Sequence, residues 1–133
     1  MKIFLTGGTG MVGRNILENP SAHKHDFFAP TSQELNLLDR DAVRVSLSKE
    51  KPDLIIHSAG LVGGIQANIN NPVDFLLKNT DMALNVISSA ASVGIKNLIN
   101  LGSSCMYPRE TSNPLNENLI LQGELEPTNE GYA

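Results

Sequence analysis

The stretch Thr6-Gly7-Gly8-Thr9-Gly10-Met11-Val12-Gly13, directly behind the apolar run Ile3-Phe4-Leu5, constrains this chain more than any other. A short apolar run, glycines three apart and then Asn15-Ile16-Leu17 predict strand, tight turn and helix. In such a turn Gly7 allows a sharp exit from the strand and Gly10 lets backbone approach a phosphate group. Gly13 lets the helix pack closely. Free N–H groups at the helix start would then face a pyrophosphate. The plainer reading is a glycine-rich connection with no ligand, so the company of the turn has to decide.

The 133 residues amount to one ordinary domain, and 41% hydrophobic content suffices for a core. A net charge of −4, with 5% aromatic residues and no Lys/Arg cluster, argues against a nucleic-acid surface. A small-molecule protein of the cytoplasm is expected, because no apolar run reaches the ~20 residues of a membrane span. The N-terminus also lacks the order of a signal peptide. Cys105 is the single cysteine and has no internal disulfide partner. No metal-ligand cluster, repeat or linker is evident.

Four short apolar segments alternate with helical patterns. Lys2–Leu5 and His25–Ala29 predict the first two strands, with a helix between them that runs to Asn19-Pro20. Asp39 reads as the cap of a helix that Lys51-Pro52-Asp53 ends. Leu54-Ile55-Ile56-His57 has the unbroken apolar character of a strand covered on both faces. His57 reads as a core histidine, with a catalytic role as the alternative, and His23 and His25 read as loop residues. Val62 to Asn68 is expected to be a loop. Pro72 opens a long helix that ends at Gly94, on which Asn79 stands within an apolar stripe and needs partners. Asn97–Leu101 completes the strands and leads into Gly102-Ser103-Ser104-Cys105-Met106-Tyr107-Pro108. The predicted fold is α/β, a doubly wound parallel sheet with strand order 3-2-1-4 and ligands outside the carboxyl ends of the strands. Arg109 to Leu125 is polar and turn-rich. Thr128 or Asn129 would cap a last helix that has barely begun when the sequence stops, which suggests a fragment.

The glycine turn, the serine turn after the fourth strand and Tyr132 at a helix start resemble the extended short-chain dehydrogenase/reductases. Val62-Gly63-Gly64-Ile65, Glu34-Leu35-Asn36-Leu37-Leu38-Asp39, the serine turn and Leu125 to Ala133 narrow the resemblance to the GDP-L-fucose synthase group, over essentially all 133 residues. That resemblance implies a Rossmann-type NAD(P)-binding domain spanning residues 1–133, incomplete at its C-terminus and without the substrate domain. It implies C3 and C5 epimerisation of GDP-4-keto-6-deoxymannose followed by reduction of the 4-keto group with NADPH. Tyr132 would donate the proton, Ser103 would hydrogen-bond the substrate oxygen, and Cys105 would be the acid/base thiol. Gly7, Gly8, Thr9, Gly10, Met11, Val12 and Gly13 would hold the pyrophosphate. Ser32, Gln33, Glu34, Leu35, Asn36 and Leu37 would hold the adenosine end, and Leu101, Gly102, Ser103 and Ser104 the nicotinamide side. A GDP-sugar substrate and, at full length, a homodimer complete the expectation, with no nucleic acid, membrane or metal.

Two departures bear on this. The group places a lysine four residues after the tyrosine, and here the sequence stops at Ala133, so the chain by itself is expected to be inactive. Thr9 and Ser32 stand where some members carry arginines for the 2′-phosphate, and no acid follows the second strand, so NADP rests on resemblance and NAD stays open. Two other readings remain: a different nucleotide-sugar epimerase or ketoreductase, such as one making a dideoxy sugar, and a nucleotide-binding domain without chemistry.

Overall fold

The computed structural model describes residues 1–133 as two compact units. The first comprises Met1–Gly60 and Thr80–Leu101 and the second Leu61–Asn79 and Gly102–Ala133.

The first unit is built on a parallel sheet of β1 (Lys2–Thr6), β2 (Asp26–Phe28), β3 (Leu54–His57) and β4 (Leu98–Asn100). Their order is β2-β1-β3-β4. This corrects the expected 3-2-1-4 arrangement: Leu54–His57 pairs with β1, with Phe4 opposite Ile55, and not with the second strand. The physical reason lies in the strands themselves. β2 is three residues long and begins with the exposed Asp26, which suits an edge, whereas β3, apolar from Leu54 to Ile56, suits an interior place between β1 and β4.

Helix α1 (Met11–Glu18) follows β1, α2 (Arg40–Glu50) follows β2, and α4 (Pro72–Ser92) reaches this unit with Thr80–Ser92. Right-handed crossovers send the chain first one way across the sheet and then back, so α1 covers one face and α2 with α4 the other. Val43 and Leu47 of α2 and Val86 and Ala90 of α4 close over Phe4 and Ile55 as the main core, joined by Leu35. Ile3, Phe27 and Ile56 point to the opposite face and line a groove with Met11, Val12 and Ile16 of α1. The Asp39 carboxylate accepts the Ala42 N–H at 3.0 Å and starts α2, and Lys51, at φ 45°, ends it. No helix is long and apolar enough to cross a membrane.

In the second unit, part of the segment expected as loop is helical: Ile65–Asn70 forms α3. Gly64 supplies the entry, and Asn68 donates to the carbonyls of Gly63 and Gly64, taking up acceptors at the helix start. Asn79, on the part of α4 within this unit, accepts the Leu61 N–H at 2.6 Å and donates to the carbonyls of Leu61 and Phe75. The partner of this amide is thus the chain just beyond β3. Near the C-terminus only a 3-10 turn forms, Pro127–Asn129. Its cap is the Glu126 carboxylate, which accepts from Thr128, and not Thr128 or Asn129 as expected; proline at the first helical position fixes the start.

Candidate functional site

The glycine turn is held by backbone geometry. Gly7 has φ +72°, and Gly10 donates to its carbonyl at 2.9 Å. A Cβ on Gly7 would come within 2.7 Å of the Ala59 backbone nitrogen, so the turn lies directly against the chain leaving β3. A Cβ on Gly13 would collide with the Gly7 carbonyl oxygen, which is why α1 can pack onto the turn only with glycine there. Gly10 is the N-cap of α1, without a side-chain cap, so the first-turn N–H groups have no side-chain acceptor. Thr9, Gly10, Met11 and Val12 are exposed, whereas Gly8 is buried.

The strand ends beside the turn are tied together through Thr6. Its hydroxyl lies 2.7 Å from His57 Nδ1 and accepts from the Ala59 N–H, and the Ser58 hydroxyl donates to the Thr6 carbonyl at 2.7 Å. The Thr6 hydroxyl can donate to Nδ1 or accept from it according to the imidazole tautomer, and either way it ties the ring to the end of β1. Burial pushes the His57 pKa below its ordinary value and keeps the ring neutral. The core reading of His57 therefore describes it well: it braces the turn.

Of the residues expected at the adenosine end, Ser32, Gln33, Glu34 and Asn36 are exposed, while Leu35 is buried in the core and Leu37 packs against it. The Glu34 carboxylate accepts the Thr31 N–H and hydroxyl, which holds its pKa below the ordinary carboxylate value. Leu101, exposed, donates its N–H to the His57 carbonyl.

In the second unit Ser103 caps the 3-10 turn Ser104–Met106 that carries Cys105, and Gly102 and Ser104 are exposed. The Ser103 hydroxyl oxygen accepts the Cys105 N–H at 3.2 Å, which leaves its own hydrogen free to donate. Asn129 Nδ2 donates to Cys105 Sγ at 3.2 Å, and the Asn129 Oδ1 is buried without a partner. Tyr132 is partly buried and meets the edge of Phe75, ring centroids 6.5 Å apart. Asn129 was legible in the sequence only as a possible cap; its place beside Cys105, across 24 residues, had no local signal.

A parallel sheet with a glycine turn between its first strand and a helix defines a dinucleotide-binding fold of the Rossmann type. The chain belongs to the NAD dependent epimerase/dehydratase family, whose model matches residues 3–133. It is 53% identical over its whole length to a GDP-L-colitose synthase of Yersinia pseudotuberculosis and spans 43% of that protein. It is 48% identical over 99% of its length to a GDP-L-fucose synthase of Azorhizobium caulinodans, of which it spans 42%. Among solved structures, a GDP-mannoheptose C4 reductase from Campylobacter jejuni with NADP bound superposes with a TM-score of 0.90 at 32% identity, covering 98% of this chain and 42% of that one. The chain thus spans less than half the length of these relatives.

Proposed function

We propose that this chain is the cofactor-binding part of an NADP(H)-dependent GDP-sugar epimerase/reductase of the cytoplasm, acting on GDP-4-keto-6-deoxymannose to give GDP-L-fucose. The observation that carries the reading is the turn holding the Ser103 hydroxyl and the Cys105 thiol two residues apart, in a chain whose relatives include GDP-L-fucose synthases. The glycine turn fits a dinucleotide, because the space beside Gly7 and Gly13 admits no side chain and the α1 amides stay free. Gly7 to Gly13 would hold the pyrophosphate, and Ser32 to Leu37 the adenosine end, with Leu35 and Leu37 contributing backbone. Leu101 to Ser104 would lie on the nicotinamide side. When bound, NADPH supplies the hydride.

The chain's own groups carry the rest. Epimerisation beside a carbonyl requires removal and return of a C–H proton, the work assigned to Cys105. Reduction leaves an alkoxide, which Tyr132 would protonate while Ser103 donates to the same oxygen. The family resemblance places a further lysine four residues beyond Tyr132. Exposed apolar residues of α4, Leu84 and Ile87 among them, would serve a homodimer of the full-length protein.

A second reading, formation of GDP-L-colitose, is favoured by the 53% identity to a GDP-L-colitose synthase. Incubating the full-length protein with GDP-4-keto-6-deoxymannose and NADPH, with NMR identification of the product, tests the first. GDP-L-fucose is expected. Unreacted substrate, with turnover of a dideoxy keto-sugar instead, rejects it in favour of the second.

A further inference from the structure

Cys105 is held from two sides, and only one of them reaches its sulfur. Ser103 caps the backbone of its turn, while the donor on the sulfur itself is the side chain of Asn129 at 3.2 Å. Asn129 is the last residue of the 3-10 turn three positions before Tyr132, and its carbonyl accepts the Ala133 N–H. One side chain therefore links the turn bearing the thiol to the turn bearing the tyrosine.

The charges on these segments make that donor matter. The turn that carries Cys105 has Tyr107 as its nearest ionisable neighbour in sequence, and the turn that carries Asn129 is flanked by Glu126, Glu130 and Tyr132. Helix α3, which packs on the Asn129 turn, has no ionisable residue. No cation stands on any of the three, and the nearest in sequence to Cys105, Arg109, is paired with Glu124 at 3.2 Å. An amide N–H is then the group that can favour the thiolate, since a hydrogen bond to the charged form stabilises it. The other end of the same amide, Oδ1, is buried and unpaired.

We propose that Asn129 is the positioning residue for Cys105, holding the sulfur in place and favouring its ionised form through Nδ2; this rests on the acid/base reading of Cys105 given above. Because Cys105 is the sole cysteine, iodoacetamide alkylation of the whole chain reports on it alone. At a fixed pH of about 6.5, well below the ordinary thiol value, Asn129→Ala should react a few-fold more slowly than the parent, because losing a hydrogen bond to the charged form leaves less thiolate. Asn129→Asp, nearly isosteric but bearing a carboxylate, should be slower still. The thiolate absorption band, taken as a difference against Cys105→Ser, should shrink in the same order. A merely structural role predicts the opposite, since a loosened turn exposes the thiol and speeds alkylation. Equal or faster alkylation in both variants, with undiminished thiolate absorption, overturns the proposal. If both measurements follow the predicted order but the full-length Cys105→Ser enzyme still epimerises, the acid/base reading fails and the hold of Asn129 on the sulfur stands.

Discussion

Thr6 Oγ1 and His57 Nδ1 meet at 2.7 Å inside the first unit, with His57 4% exposed and Thr6 1% exposed. The contact joins the ends of two neighbouring strands where the glycine turn departs. Burial lowers the folded-state pKa of His57, so the unfolded chain binds the proton more readily. The sign follows: this contribution to stability is complete above the unfolded value of about 6.5 and is lost as pH falls below it. Denaturant unfolding followed by circular dichroism should show stability declining between neutral pH and about pH 5. His57→Asn should flatten that decline while lowering stability at pH 7.

Gly7, Gly10 and Gly13 of the turn are not equivalent. Gly7→Ala meets both a left-handed φ and the Ala59 backbone, and Gly13→Ala meets the Gly7 carbonyl, so each should lower unfolding free energy by about 2 kcal/mol or more. A Cβ on Gly10 would find only the Gly7 oxygen, at 3.3 Å. Gly10→Ala should therefore fold with much smaller loss, and if the backbone there faces a pyrophosphate it should still weaken NADPH binding. Paired unfolding and binding curves check both halves of this expectation.

Asn79→Ala removes three hydrogen bonds, two of them to Leu61, and leaves the Leu61 N–H and carbonyl without their partner. A loss of about 2 to 3 kcal/mol is expected, with faster hydrogen exchange at the Leu61 amide.

Features governed by local chemistry were legible in the sequence. Glycine spacing marked the turn, Asp39 marked the start of α2, and the apolar run from Leu54 marked a strand, whose burial alternates, Ile55 and His57 buried and Leu54 and Ile56 half-buried. Which strand lies beside which was less legible, because an apolar pattern reports burial and not the identity of the neighbour. Leu54–His57 accordingly lies beside β1 and not β2. Helix α3 was hidden by Gly63 and Gly64, which suggested loop while serving as its entry, with Asn68 binding their carbonyls. The Asn129 to Cys105 contact had no sequence signature, since two residues 24 positions apart meet only through the packing of turns.

The central claim is that the turn from Gly7 to Gly13 holds a dinucleotide. Fluorescence titration of the folded chain with NADPH and NADP tests it most directly, with folding verified by circular dichroism in the same sample. Saturable binding of both, weakened by Gly10→Ala, is predicted. A chain shown to be folded that binds neither would contradict the account.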